Sequence, residues 1–129
     1  MVRVSDYVCT GAYPEFATDL QPLMGVAMAS AQGEHLLVEN VFEDRFRYLD
    51  ELSKGGCSFK RFGRAALITG RRLYGADYVC TDLRAGAALM VASLSATGVS
   101  TLSDIGYIDR GYDDLRAKFN SLGADIGLL

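Results

Sequence analysis

The sequence predicts an α/β chain made of two repeat units, with helices packed inside and strands covering them. Three observations carry this. The tripeptide Thr-Asp-Leu occurs twice, at Thr18-Asp19-Leu20 and at Thr81-Asp82-Leu83, each time ahead of a long apolar stretch. Further pairs keep nearly the same spacing: Ala29-Ser30 with Ala92-Ser93, Gly33 with Gly98, Asp44-Arg45 with Asp109-Arg110, and Gly56 with Gly123. Finally, "AGAALMVASLSATG" after Arg84 carries no charge on any face, and residues 20–31 are similar. A helix that is apolar all round is buried on all sides, so the strands have to lie outside. A chain of 129 residues can hardly enclose two such helices, which predicts that it needs more protein around it. The units are placed at about 12–70 and 75–129.

Each unit reads in the same order: Thr-Asp, apolar helix, Gly, strand, Asp-Arg, amphipathic helix, Gly, strand. Thr and Asp are good helix N-caps, because their side-chain oxygens accept the unpaired N–H groups of the first turn. Pro22 is tolerated only within that turn, which puts the first helix start near Thr18 or Asp19. Gly33 and Gly98 read as C-terminal stops. The strands "HLLVENV" (35–41) and "VSTLSDI" (99–105) follow. Next come "RFRYLDELSK" (45–54) and "YDDLRAKFNSL" (112–122). Leu49 and Leu52 fall on one face of the first, and Leu115, Phe119 and Leu122 on one face of the second, so both read as half-buried helices. "SFKRFGRAALITG" (58–70) reads as two strands joined at Gly63.

Composition narrows the function. Half of the residues are hydrophobic and 22% are charged, as in a packed domain rather than a disordered one. The net charge of -3 argues against a nucleic-acid surface, which needs a basic face. No stretch is apolar for long enough to span a bilayer and no signal peptide is visible, so a cytoplasmic protein without a membrane partner is expected. Cys9, Cys57 and Cys80 are odd in number and widely spaced. They read as reduced, mostly buried thiols rather than a disulfide framework or a metal site. His35, the single histidine, sits in an apparent strand and reads as an ordinary strand residue. No metal and no cofactor is expected.

Four motifs, in order, resemble the enolpyruvyl transferase family: "AYPEFATDLQ" (12–21), "ENVFEDRF" (39–46), "TDLRAGAAL" (81–89) and "YIDRGYDDL" (107–115). The resemblance covers the chain from about Ala12 to Leu129. "ENVFEDRF" and "IDRGYDDL" favour the members that act on UDP-N-acetylglucosamine over the shikimate-pathway relative. The resemblance implies an inside-out α/β barrel of βαβαββ units, helices inside and sheets outside. This chain matches two of the three units of one domain, the C-terminal part of the family's length. The remaining unit and the other domain have no counterpart here.

The resemblance also implies a reaction, the transfer of enolpyruvyl from phosphoenolpyruvate to the 3′-hydroxyl of UDP-N-acetylglucosamine in peptidoglycan synthesis. Asp19 matches the aspartate that touches the sugar and takes the hydroxyl proton; read from the residues alone, it is a helix N-cap. Val41 matches a residue whose backbone contacts the sugar nucleotide, and otherwise reads as a buried strand valine. Asp82 and Arg84 match the active-site "TDLR". Arg110 matches the arginine that meets the phosphoenolpyruvate anion; its plainer reading is a surface ion pair with Asp109 or Asp113. Arg45 holds the equivalent repeat position and matches another arginine near the substrate. A guanidinium suits both anions, as a planar and always charged fork of donors. The proton-donating cysteine of the family lies in the part without a counterpart, and none of the three cysteines here occupies its motif. The implied activity therefore needs the missing N-terminal part or self-association. The alternative is a non-catalytic remnant that completes a barrel with another chain.

Overall fold

A computed structural model of the chain describes residues 6–12, 14–43, 45–80, 82–103 and 120–123. Burial alternates along "GEHLLV", which forms an inner strand of the first sheet with His35 and Leu37 facing the core. The elements follow in the order β1 (Tyr7–Cys9), a 3-10 turn (Thr18–Leu20), α1 (Gln21–Ser30), β2 (Gly33–Val38) and α2 (Arg47–Leu52). A second 3-10 turn (Ser53–Gly55) then leads to β3 (Ser58–Phe62), β4 (Ala65–Gly70), β5 (Asp77–Val79), α3 (Leu83–Ser95) and β6 (Thr101–Ser103).

The first sheet has the order β1-β2-β4-β3, with β1 parallel to β2 and the other neighbours antiparallel. The second described sheet pairs β5 with β6 in parallel. In both cases a parallel pair is bridged by an apolar helix, α1 or α3. α1 packs on β2 and β4, α3 packs against α1, α2 and β6, and α2 meets β5. The helices therefore lie between the sheets, and one core runs from Val8 and Leu37 through Met28, Leu49 and Leu52 to Ala88 and Leu89. This is the expected α/β arrangement, helices inward and sheets outward.

The expected hairpin is present: β3 and β4 pair from Ser58↔Thr69 to Phe62↔Ala65, and Gly63 at the turn has φ +60°. The glycines paired in the sequence share a backbone conformation. Gly33 and Gly98 both have φ of 102°, and Gly56 and Gly123 have 99° and 103°. This left-handed region is cheap only for glycine.

Several boundaries differ from expectation. The strand expected over 35–41 ends at Val38, and the one expected over 99–105 begins at Thr101, with 104–105 outside the described residues. Helix α2 begins at Arg47 rather than Arg45. The helices are not buried all round within this chain: Leu23 is 38% exposed and Leu94 40%. Each packs against a sheet on one side and a neighbouring helix on another, which leaves a third flank open. His35 is 1% exposed, with Nε2 3.2 Å from the Ala31 carbonyl oxygen, in keeping with a strand residue. The second amphipathic helix, the strand after it and Arg110 lie outside the described residues, apart from 120–123.

Asp6–Thr10 and Asp77–Thr81 are the same pentapeptide, "DYVCT", and supply β1 and β5. They do not present the same face. In β1 Val8 is buried and Tyr7 exposed; in β5 Tyr78 is buried and Val79 exposed. The equivalent inward positions are Val8, paired with Leu37, and Tyr78, paired with Leu102. A shift of one residue exchanges the two faces of a strand, so the repeat register is set by pairing with the following strand.

Candidate active site

The two Thr-Asp sites, alike in sequence, do different things. Asp82 has the extended backbone of an N-cap (φ -158°, ψ 175°), and its Oδ1 accepts the Ala85 N–H at 2.9 Å. Asp82→Ala is expected to cost about 0.5–2 kcal/mol of stability, the usual range for a lost cap, measurable as a shift in the urea midpoint.

Asp19 lies inside the 3-10 turn that precedes α1, and α1 has no side-chain cap; Pro22 occupies its first turn as expected. The N-cap reading of Asp19 is thus corrected. Once the chain turns through Thr18–Leu20, the Asp19 carboxylate points away from the helix start. Its Oδ1 meets Arg84 Nε at 2.8 Å and Arg45 Nη1 at 3.5 Å. Arg84 comes from the first turn of α3 and Arg45 from the segment before α2. Asp19, ahead of α1, and Arg84, in α3, meet near where these two helices pack together.

A small open cleft adjoins this cluster, lined by Pro22, Arg45, Arg47, Tyr48, Asp82, Arg84 and Ala85. Three guanidinium-bearing residues and one carboxylate leave its lining with an excess of positive charge. The Arg45 guanidinium also lies 4.3 Å from the Phe42 ring centroid, over its face, and Nη1 donates to the Thr18 carbonyl oxygen at 3.3 Å.

Beneath the cluster lies a residue the sequence did not single out. Glu39 is 1% exposed. Its Oε2 accepts the Thr18 hydroxyl at 2.8 Å and the N–H groups of Val41 and Phe42 at 3.1 Å each, while Oε1 accepts Gln21 Nε2 at 3.2 Å. Gln21 Oε1 in turn accepts the Tyr48 hydroxyl at 2.6 Å. This network ends β2 at Val38, because the Val41 N–H of the expected strand, with the Phe42 N–H just after it, bends back to the carboxylate. Val41 is therefore 46% exposed in a turn rather than buried in a strand. The readable signal was an acid embedded in the apolar run "HLLVENV".

A family model described as EPSP synthase (3-phosphoshikimate 1-carboxyvinyltransferase) matches residues 7–119. The chain belongs to the EPSP synthase family. It is 47% identical over 115 residues to UDP-N-acetylglucosamine 1-carboxyvinyltransferase 3 of Caldanaerobacter subterraneus, a match covering 88% of this chain and 28% of the relative. It is also 47% identical over 118 residues to the enzyme of that name from Desulfofundulus thermocisternus, covering 91% and 49%. Among solved structures, the enolpyruvyl transferase NikO from Streptomyces tendae superposes with a TM-score of 0.82 at 32% identity, over 92% of this chain and 28% of that one. EPSP synthase from Acinetobacter baumannii shares the fold, with a TM-score of 0.65 at 14% identity. The chain thus spans between about a quarter and a half of the length of these relatives.

In this member of the EPSP synthase family Cys57 and Cys80 are buried and Cys9 is half-buried. Burial pushes the Cys57 thiol up to about 11, with Arg71 opposing the shift. Between the ordinary thiol value of 9.0 and about 11, the unfolded chain releases a proton that the folded chain keeps. Stability therefore falls as pH rises through that window. Thiol titration with a disulfide reagent at pH 8 should modify Cys57 only after unfolding. Among the described residues no group of His, Cys, Asp and Glu is arranged to hold a metal ion, and no helix is long and apolar enough to cross a membrane.

Proposed function

We propose that the chain supplies one wall of an enolpyruvyl transferase active site, that of a UDP-N-acetylglucosamine 1-carboxyvinyltransferase. In this reading residues 12–70 and 75–129 are two repeat units of one incomplete domain. Enolpyruvyl passes from phosphoenolpyruvate to the 3′-hydroxyl of UDP-N-acetylglucosamine, releasing phosphate. The observation that carries the reading is the meeting of Asp19 with Arg84 and Arg45 beside an arginine-lined cleft. Asp19 takes the hydroxyl proton; the two guanidiniums orient its carboxylate, and for a general base geometry comes before pKa. Arg84 and Arg45, with Arg110 from the matching family motif, face the phosphoenolpyruvate anion. Asp82 caps α3 and so fixes the turn that carries Arg84. The Val41 turn lies against the sugar nucleotide. The names and identities of the relatives support the substrate pair, and with it a place in peptidoglycan synthesis, cell-wall growth, cell shape and division in the cytoplasm.

The acid that protonates the methylene carbon, and most contacts to the nucleotide, come from outside this chain, so we propose that activity needs an N-terminal part. The test is to mix the chain with the N-terminal part of the Caldanaerobacter relative and measure phosphate release with both substrates present. Release above either part alone is expected. Association of the parts without release at high concentration would remove the catalytic reading.

A second reading is favoured by the exposed apolar side chains Leu20, Leu23, Leu94 and Val99. Here the chain is a non-catalytic piece that completes a barrel with another chain, because apolar surface of this kind drives association. Light scattering at micromolar concentration should then show a species larger than the monomer; a stable monomer counts against it.

A further inference from the structure

Two of the expected site residues, Asp19 and Val41, sit on separate turns. Asp19 is in the Thr18–Leu20 turn ahead of α1, and Val41 is in the turn after β2. Nothing in their sequence spacing ties these turns together. Glu39 does. One of its oxygens takes three donors, the Thr18 hydroxyl from the first turn and the Val41 and Phe42 N–H groups from the second. The other oxygen takes Gln21, the first residue of α1, whose side chain also donates to the Arg45 carbonyl oxygen at 3.3 Å. All four donors are neutral and Glu39 is 1% exposed. An ionised carboxylate is acceptor-only and can serve all of them; an amide of the same shape places a donor against donors. Thr18 carries the link onward: its hydroxyl, committed as a donor to Glu39, keeps its lone pairs toward Arg45 Nη1 at 3.4 Å, and Arg45 in turn faces Asp19.

We propose that Glu39 is the positioning residue of this site, holding the turn of the hydroxyl-facing Asp19 and the turn of Val41 at a fixed separation from beneath. It touches neither the expected base nor the cleft; it acts through Thr18 and through the backbone of Val41 and Phe42. The proposal rests on the functional reading above for its purpose, while its physical content is testable on the chain without any catalysis.

The experiment is NMR of the chain with Glu39→Gln and, separately, Thr18→Val, following the Arg84 Nε–H signal and the amide exchange of Val41, Phe42 and the β4 residues Leu67 and Ile68. Glu39→Gln is expected to speed exchange at Val41 and Phe42 by about tenfold or more and to remove protection of Arg84 Nε–H, with Leu67 and Ile68 unchanged. Thr18→Val is expected to loosen Arg84 Nε–H alone, which keeps the test decisive should Glu39→Gln fail to fold. A purely structural role would move all amides together and leave no selective effect on Arg84. The proposal is overturned if Thr18→Val leaves the Arg84 signal protected, or if Glu39→Gln leaves Val41 and Phe42 exchange unaltered. Absence of phosphate release from the wild-type mixture would count against the functional reading and leave these signals as they are.

Discussion

Replacing Asp19 by Asn in the reconstituted transferase lowers kcat by about 10²- to 10⁴-fold, the usual contribution of a positioned general base. The side chain keeps its shape, and its Oδ1 can still accept Arg84 Nε, 2.8 Å away in the native chain. What is lost is the capacity to take a proton. Binding of UDP-N-acetylglucosamine should change little, so the loss falls on kcat rather than KM. Steady-state phosphate release with both substrates varied separates the two. A variant that keeps turnover within a few-fold of wild type would mean that another group takes the hydroxyl proton.

The second large effect is on folding. Gly70 ends β4 where the strand runs against the C-terminal end of α1, and the Arg71 N–H donates to the Ala29 carbonyl oxygen at 2.9 Å. A Cβ at Gly70 would fall on the Ala31 carbonyl and press on the Met28 carbonyl 3.1 Å away. Both are backbone, so no side-chain rotation relieves the clash. Gly70→Ala should cost at least the ~1–3 kcal/mol typical of overpacking. Gly63→Ala is the control: its φ is +60° and nothing lies within 4 Å of the added carbon, so only the left-handed backbone is penalised, by about 1 kcal/mol. Urea unfolding of both variants tests this. A Gly70→Ala midpoint no lower than that of Gly63→Ala would show that strand and helix do not approach so closely.

The sequence carried the elements better than their edges. Charge-free helices, paired glycines and the position of Pro22 were enough to place α1, α3 and the hairpin, and to put strands outside helices. Paired Thr-Asp motifs could not reveal which aspartate caps. That choice depends on the backbone just before the helix, extended at Asp82 but already turning at Asp19. Capping uses up one oxygen of Asp82 and leaves the Asp19 carboxylate for two arginines. Glu39 escaped notice because its side-chain partners, Gln21 and Thr18, are 18 and 21 residues upstream along the chain, a separation that periodicity does not sense. Its effect on the Val41 turn also explains why the strand stopped short. The "DYVCT" pair shows the opposite limit: identical residues take opposite faces, because strand pairing and not local sequence fixes which side turns inward.

Of the proposed site residues, Asp19, Val41, Asp82, Arg84 and Arg45 come from family motifs. The structure gathers Asp19, Arg45 and Arg84 directly and puts Asp82 on the same cleft. Glu39 joins Val41 to them through the Thr18 hydroxyl. Arg47 adds a guanidinium to the cleft that no motif had suggested.

The central claim is that this chain supplies the hydroxyl-facing wall of an enolpyruvyl transferase. It is tested most directly by the product. The chain, the N-terminal part of the Caldanaerobacter relative, phosphoenolpyruvate and UDP-N-acetylglucosamine are incubated together, and the nucleotide sugar is analysed by mass spectrometry and NMR. The account predicts an enolpyruvyl ether on the 3′-oxygen, formed with wild-type chain and reduced to near background with Asp19→Asn. Unmodified UDP-N-acetylglucosamine from a mixture in which the two parts are shown to associate would contradict it.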